Sequence, residues 1–107
     1  MNVISTNTTV SVTLVTNGKV SIASIDNLMD GCWWISRVNV QGVEKGKGTG
    51  SKLLQKAIES VLSYGPADII VAPGGYNEDK EKQFNFYKKN GFVDSSKKGL
   101  LIYKKNK

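Results

Sequence analysis

A chain of 107 residues with 39% hydrophobic and 22% charged side chains has the size and composition of one globular domain spanning residues 1–107, which excludes a disordered chain and a two-lobed enzyme. A single cysteine, Cys32, and the absence of histidine exclude an intramolecular disulfide framework, a His/Cys metal site and a histidine-based triad. The net charge of +6 is uneven: residues 1–40 balance Lys19 and Arg37 against Asp26 and Asp30, whereas residues 41–107 carry thirteen lysines against seven acids, which points to a polyanionic ligand.

At the amino terminus, MNVISTNTTV lacks the basic flank and apolar run of a signal peptide, and no apolar stretch in the chain reaches the roughly 20 residues of a membrane span. A cytoplasmic protein without membrane contact is the expectation. Val10, Val12 and Leu14 alternate with Thr9, Ser11 and Thr13, the period of a half-buried strand. Asn17-Gly18 suits the positive φ values of a type I′ turn, and Val20 and Ile22 supply the return strand of a hairpin. Residues 26–31 (DNLMDG) read as a turn, and the β-branched and aromatic run at 33–40 (WWISRVNV) predicts a third strand. Trp33 and Trp34 alternate faces there, so one is expected in the core and the other is free to face an acceptor or a partner.

Four glycines, Gly42, Gly46, Gly48 and Gly50, precede an amphipathic helix over residues 51–64, whose apolar stripe runs through Leu53, Leu54, Ala57, Ile58, Val61 and Leu62. Gly65-Pro66 stops it. Residues 68–72 (DIIVA) read as a buried strand after a crossover helix. A second helix is expected over residues 79–90, with Glu78, Asp79 and Glu81 near its positive end, Lys88 and Lys89 near its negative end, and Gly91 past its terminus. Residues 92–93 and 100–103 form a closing pair of strands. The fold class is therefore α/β with a central mixed sheet (α+β in its mixed strand order), an N-terminal hairpin, two main helices and a C-terminal strand pair.

The stretch Lys45-Gly46-Lys47-Gly48-Thr49-Gly50-Ser51 leads from a strand into a helix. Unpaired amides and partial positive charge collect at such a place, and glycine lets the backbone approach an anion. The phosphate loop GxxxxGK[ST] has no match here, and the dinucleotide fingerprint GxGxxG would need glycine at Ser51. What remains is Lys45-x-x-Gly48-x-Gly50.

That pattern resembles the GNAT family of N-acetyltransferases, whose signature is Gln/Arg-x-x-Gly-x-Gly/Ala at a strand-to-helix turn. Lys45 stands in the Gln/Arg place and keeps the charge without the planar fork. Downstream, Phe86-Tyr87-Lys88-Lys89-Asn90-Gly91-Phe92 is similar to the family's FYxxxGF helix end. The two motifs fall in the family's order and the match covers about residues 33–103. Lys80 and Gln83 stand where members usually carry Asn and Ala. Members commonly begin with a strand and two helices that form one wall of the acceptor groove. Here the 32 residues before Trp33 read as a hairpin, so the resemblance is to a short form without that wall.

The resemblance implies transfer of an acetyl group from acetyl-CoA to an amine by direct attack in a ternary complex. It assigns the pantetheine arm and acetyl carbonyl to a bulged strand, here Val38, Asn39 and Val40, and the diphosphate to Lys45, Gly46, Lys47, Gly48, Thr49, Gly50 and Ser51. Tyr87 takes the place of the tyrosine that protonates the sulfur of coenzyme A; its reference pKa of about 10 exceeds the roughly 8.5 of a thiol. No metal is implied. The general base is not placed by spacing; Asp26, Asp30 and Glu44 are the carboxylates before the helix. A site open on one side suits a protein acceptor or a homodimer that completes the groove. Two other readings compete: a non-catalytic binding module of the same fold, and a nucleic-acid-binding protein, for which seven lysines against Asp94 in the last twenty residues speak. That lysine-rich tail reads better as a solvated face.

Overall fold

The computed structural model of the chain describes residues 1–29, 31–42, 46–73 and 80–104. In chain order the elements are β1 (Asn2–Ser5), β2 (Thr9–Thr16), β3 (Lys19–Met29), β4 (Cys32–Asn39), α1 (Thr49–Leu62), β5 (Asp68–Val71), α2 (Lys80–Lys89), β6 (Phe92–Asp94) and β7 (Leu101–Tyr103). The strands form one sheet in the order β1-β2-β3-β4-β5-β7-β6. Only β4 and β5 run parallel, joined by the crossover through α1. The mixed sheet, hairpin, two helices and closing strand pair expected from sequence are all present.

The β2–β3 hairpin turns where Asn17 and Gly18 both take positive φ (53° and 76°), and Thr16 pairs with Lys19 across the turn. β3 then runs to Met29, through residues that read as a turn. Two of its polar side chains are engaged from the neighbouring strand and loop: the Thr9 hydroxyl donates to Asp26 Oδ1 at 2.6 Å, and Asn27 Nδ2 donates to the Asn7 carbonyl at 3.0 Å, while Asn27 Oδ1 is buried without a partner among the described residues. β1 was not expected. Every one of its residues is exposed, so no alternation marks it, and backbone pairing with β2 alone makes it an edge strand.

Opposed residues of adjacent strands point to the same face, so the register sorts every strand residue. Val10, Val12, Ala23, Ile25, Trp33, Ile35, Ile69, Val71, Leu101 and Phe92 share one face and are buried. α1 lays Leu53, Leu54, Ala57, Ile58 and Val61 on it. Burying each of the larger of these side chains contributes about 1.5–3 kcal/mol. α2 lies over the same face, adding Tyr87 to the core and pairing Lys88 with Asp94 at 3.6 Å. Trp33 is the core tryptophan and stacks on Tyr64 at 6.1 Å; Trp34 lies on the reverse face.

No described helix covers that reverse face. On β2 and β3 it is polar at the end away from the hairpin turn, with Ser11 and Ser24 hydroxyls 3.1 Å apart, and carries Ile22, Val15 and Val20 toward the turn. Across β4, β5, β7 and β6 it carries an apolar row, Trp34, Ile70, Ile102 and Val93, each opposed to the next.

Candidate active site

The site grows from the way β4 and β5 part. They pair as far as Trp34 and Ile70; β4 then continues to Asn39, while β5 ends at Val71. Beyond Trp34 the β5-side edge of β4 has no pairing partner among the described residues. A β-bulge accompanies the parting: Ser24 opposes Arg37 but Ile25 opposes Ile35, so Ser36 is the extra residue, its hydroxyl donating to the Ser24 carbonyl at 3.2 Å. The bulge therefore falls two residues before Val38, where the resemblance placed it; Val38 and Asn39 pair regularly with Ala23 and Ile22.

The parted strands border a cavity of about 570 Å³, lined by residues 35–39 of β4, by Val40 just beyond it, and by Gly50, Phe86 and Tyr87. Val38, Asn39 and Val40 thus all border it. A second cavity of about 330 Å³ shares Val40, Gly50 and Phe86 with the first and is lined by Gly46, Gly48, Thr49, Gly50 and Ser51. The two make a continuous groove from the glycine turn to Tyr87. Lys47 is exposed beside the turn and borders neither cavity. Lys45, with Glu44 and Asp30, lies outside the described residues. Asp26 is held by Thr9 opposite Trp34 and does not line the groove.

Local physics explains the turn. Gly46 and Gly48 have φ of 81° and 78°, values that cost an L-residue roughly 1–2 kcal/mol. Gly48 is the N-cap of α1, without a side-chain cap, and no acid stands in the first turn. The helix starts two residues earlier than its apolar stripe predicts, placing Gly50 and Ser51 in its first turn. Lys52 N–H closes on the Gly48 carbonyl at 3.1 Å, and the amides of Gly50 and Ser51 before it have no intrahelical acceptor. The positive end of α1 thus borders the groove with no acidic side chain in its own first turn. Gly50 is small for a different reason: a Cβ there would stand 3.2 Å from Val40 Cγ2 and 3.3 Å from Phe86 Cε1.

Asn90, which the FYKKNGF match quoted without a role, ties the two helices together. Its Nδ2 donates to Ser51 Oγ at 3.1 Å and to the Phe86 carbonyl at 2.8 Å, while Gln55 Nε2 donates to its Oδ1 at 3.2 Å. The glycine turn and the tyrosine helix are thereby held in one register. Gly91, with φ of 100°, lets the chain leave α2 under the Tyr103 ring, where a Cβ would come within 2.9 Å.

Tyr87 is 7% exposed, set edge-on against Phe86 and Phe92 at 5.1 and 5.5 Å. Burial pushes its phenol up from 10 to about 12. It stays protonated at every physiological pH and lines the first cavity. Gln83, noted from sequence as a departure from the family's usual Ala, also borders that cavity, as do Arg37 and Lys82, which the sequence did not single out for the site. The lining contains no carboxylate among the described residues. None of the described helices is long and apolar enough to cross a membrane.

No family model and no curated protein matches the sequence. Solved structures do. An acetyltransferase of the GNAT family from Staphylococcus aureus superposes with a TM-score of 0.71 at 16% identity, covering 89% of this chain and 66% of that one. The PaiA N-acetyltransferase from Thermoplasma acidophilum, solved in complex with coenzyme A, gives 0.72 at 16% identity over 92% of this chain and 62% of its own. The anti-CRISPR protein AcrVA5 gives 0.63 at 21% identity over 88% of this chain, and there the match takes in 98% of that protein. Identities this low speak to architecture, and what they establish is that this chain has the fold of the GNAT acetyltransferases.

Proposed function

We propose that the protein binds acetyl-CoA in the groove between β4, β5 and α1 and transfers its acetyl group to an amine. The observation that carries this reading is the continuity of an uncapped, acid-free helix N-terminus at Gly48 with the cleft where β4 parts from β5. An anionic group at one end and an extended arm beside a free strand edge fit that shape; a nucleotide alone would use only the first. In this reading the amides of the glycine turn take the diphosphate, with Lys45 and Lys47 adding charge. The free backbone edge of β4 takes the pantetheine amides as an added strand would.

Bound acetyl-CoA supplies an electrophilic thioester carbonyl and a thiolate leaving group. The neutral amine forms the C–N bond as the C–S bond breaks, and its spare proton passes to solvent. Tyr87 donates to the departing sulfur. A phenol at about 12 is a reluctant acid. Full transfer to a thiolate of pKa about 8.5 in water would be uphill by roughly 5 kcal/mol, and the same dry surroundings that raise the phenol also raise the thiol. Its contribution is therefore a hydrogen bond that strengthens as charge builds on sulfur.

Calorimetric titration of acetyl-CoA and thioester turnover across amines test the proposal together. Binding with turnover is expected, and Tyr87→Phe is expected to lower turnover more than affinity. No binding at millimolar acetyl-CoA overturns it. The second reading, a binding module of this fold, is favoured by the lack of a carboxylate among the described cleft residues; binding without turnover would select it.

A further inference from the structure

The cleft lies where β4 parts from β5, and its lining includes residues from both faces of the sheet. Gly50, Phe86 and Tyr87 border it from the helix side. On β4 the pairing of Arg37 with Ser24 and Asn39 with Ile22 turns those two side chains to the reverse face, away from Ala23, Ile25 and both helices. The bulge at Ser36 makes this so. Strict alternation from Ile35 would put Arg37 in the core, and one inserted residue moves it across the sheet.

Everything suited to a diphosphate lies on the helix side. The acceptor is left with the reverse-face mouth, and Arg37 is the one charged side chain that β4 or β5 contributes to the cavity lining. It is exposed, and none of the described carboxylates pairs with it. Asp26, two residues along β3 from Ser24 and on the same face, has its Oδ1 engaged by Thr9. A guanidinium at this mouth repels an ammonium, favouring the free base that attack requires, and offers a planar fork to a carboxylate.

We infer that the acceptor amine carries a carboxylate close by, and that Arg37 pairs with that carboxylate at the helix-free mouth of the cleft; the inference rests on the acyl-transfer reading above. Arg37 is a specificity residue in this scheme and takes no part in bond making. The carboxylate has two possible sources, an acidic residue flanking a lysine in a protein or the carboxylate of a free amino acid.

Two matched acceptor pairs test it: amino-terminally blocked peptides centred on Asp-Lys-Asp and on Asn-Lys-Asn, and glycine with glycinamide. In wild type the carboxylate member of one pair is expected to show a KM about tenfold lower than its neutral twin. R37Q is expected to erase that ratio and R37K to keep part of it. The pair that discriminates identifies the source. Equal KM values in both pairs, or a preference that survives R37Q, overturn the inference. Titrating the acetylated twins into the coenzyme A complex gives a readout that does not need turnover. Tighter binding of the acidic product, lost in R37Q, sustains the Arg37 site even where transfer itself fails, and equal binding overturns it.

Discussion

On the helix-covered face of the sheet, Val10, Val12, Ala23, Ile25, Ile69 and Leu101 are fully out of water, beneath Leu53, Leu54 and Ile58. On the reverse face the same strands carry Ser11 against Ser24 and Thr9 against Asp26, giving way across β4 to β6 to Trp34, Ile70, Ile102 and Val93. One face is organised by packing, so its stability is nonpolar and non-directional. The other satisfies its polar groups pairwise between strands and contributes little beyond them. The difference teaches where function can vary: the groove is anchored to the packed face, whereas the mouth opens on the face where substitution costs little.

The sharpest way to break that contrast is a matched pair of truncations. Leu54→Ala should cost about 3 kcal/mol in urea unfolding, because the buried site cannot collapse around the lost methyls. Ser11→Ala on the reverse face should stay within about 0.5 kcal/mol. Similar costs at the two positions would erase the distinction.

Alkaline titration sharpens it further. Below pH 10 the Tyr87 phenol is neutral in both folded and unfolded chains. Between 10 and about 12 only the unfolded chain ionises there, binds fewer protons, and is favoured, so stability falls with rising pH. The loss attributable to this residue is about 2–3 kcal/mol across that window. The stability difference between wild type and Tyr87→Phe should therefore shift against wild type by about 2 kcal/mol between pH 9 and pH 11.5. A phenol wetted by the groove would show no such difference.

A smaller effect than that of Leu54→Ala is expected at the polar tie between the two helices on the packed face. Asn90→Ala removes bonds to Ser51 and Phe86 and leaves Gln55 without its side-chain acceptor, at a cost of about 2 kcal/mol. Denaturant midpoints measure it. An unchanged midpoint would mean that packing alone sets the register between the helices.

Much of the packed face was legible in the sequence, because its signals are local. Val10, Val12 and Leu14 alternate with hydroxyl residues, Asn17-Gly18 names its own turn, and Leu53 to Val61 keep helical spacing. The glycine turn was legible for the same reason, since Gly46 and Gly48 are needed for backbone angles that few other residues adopt. The reverse face was not. β1 has no buried residue to announce it, and the continuation of β3 through Asp26 and Asn27 depends on Thr9 and Asn7, partners distant in sequence. The bulge at Ser36 has no sequence mark at all, yet it decides which face Arg37 occupies. Asn90 was inside the quoted motif, but its role required knowing that two helices meet there.

The strand order has a consequence for how the molecule is made. β7 lies between β5 and β6, although both precede it in the chain. A polypeptide emerging from the ribosome therefore displays β5 with one open edge until residues 101–103 are available, and β6 has nothing to pair with in the meantime. Direct docking of β6 on β5 would occupy β7's slot and trap the chain in a misregistered sheet. Completion of the sheet requires β6 and β7 to pair locally and β7 to dock on β5, a step that follows the pairings among the elements earlier in the chain.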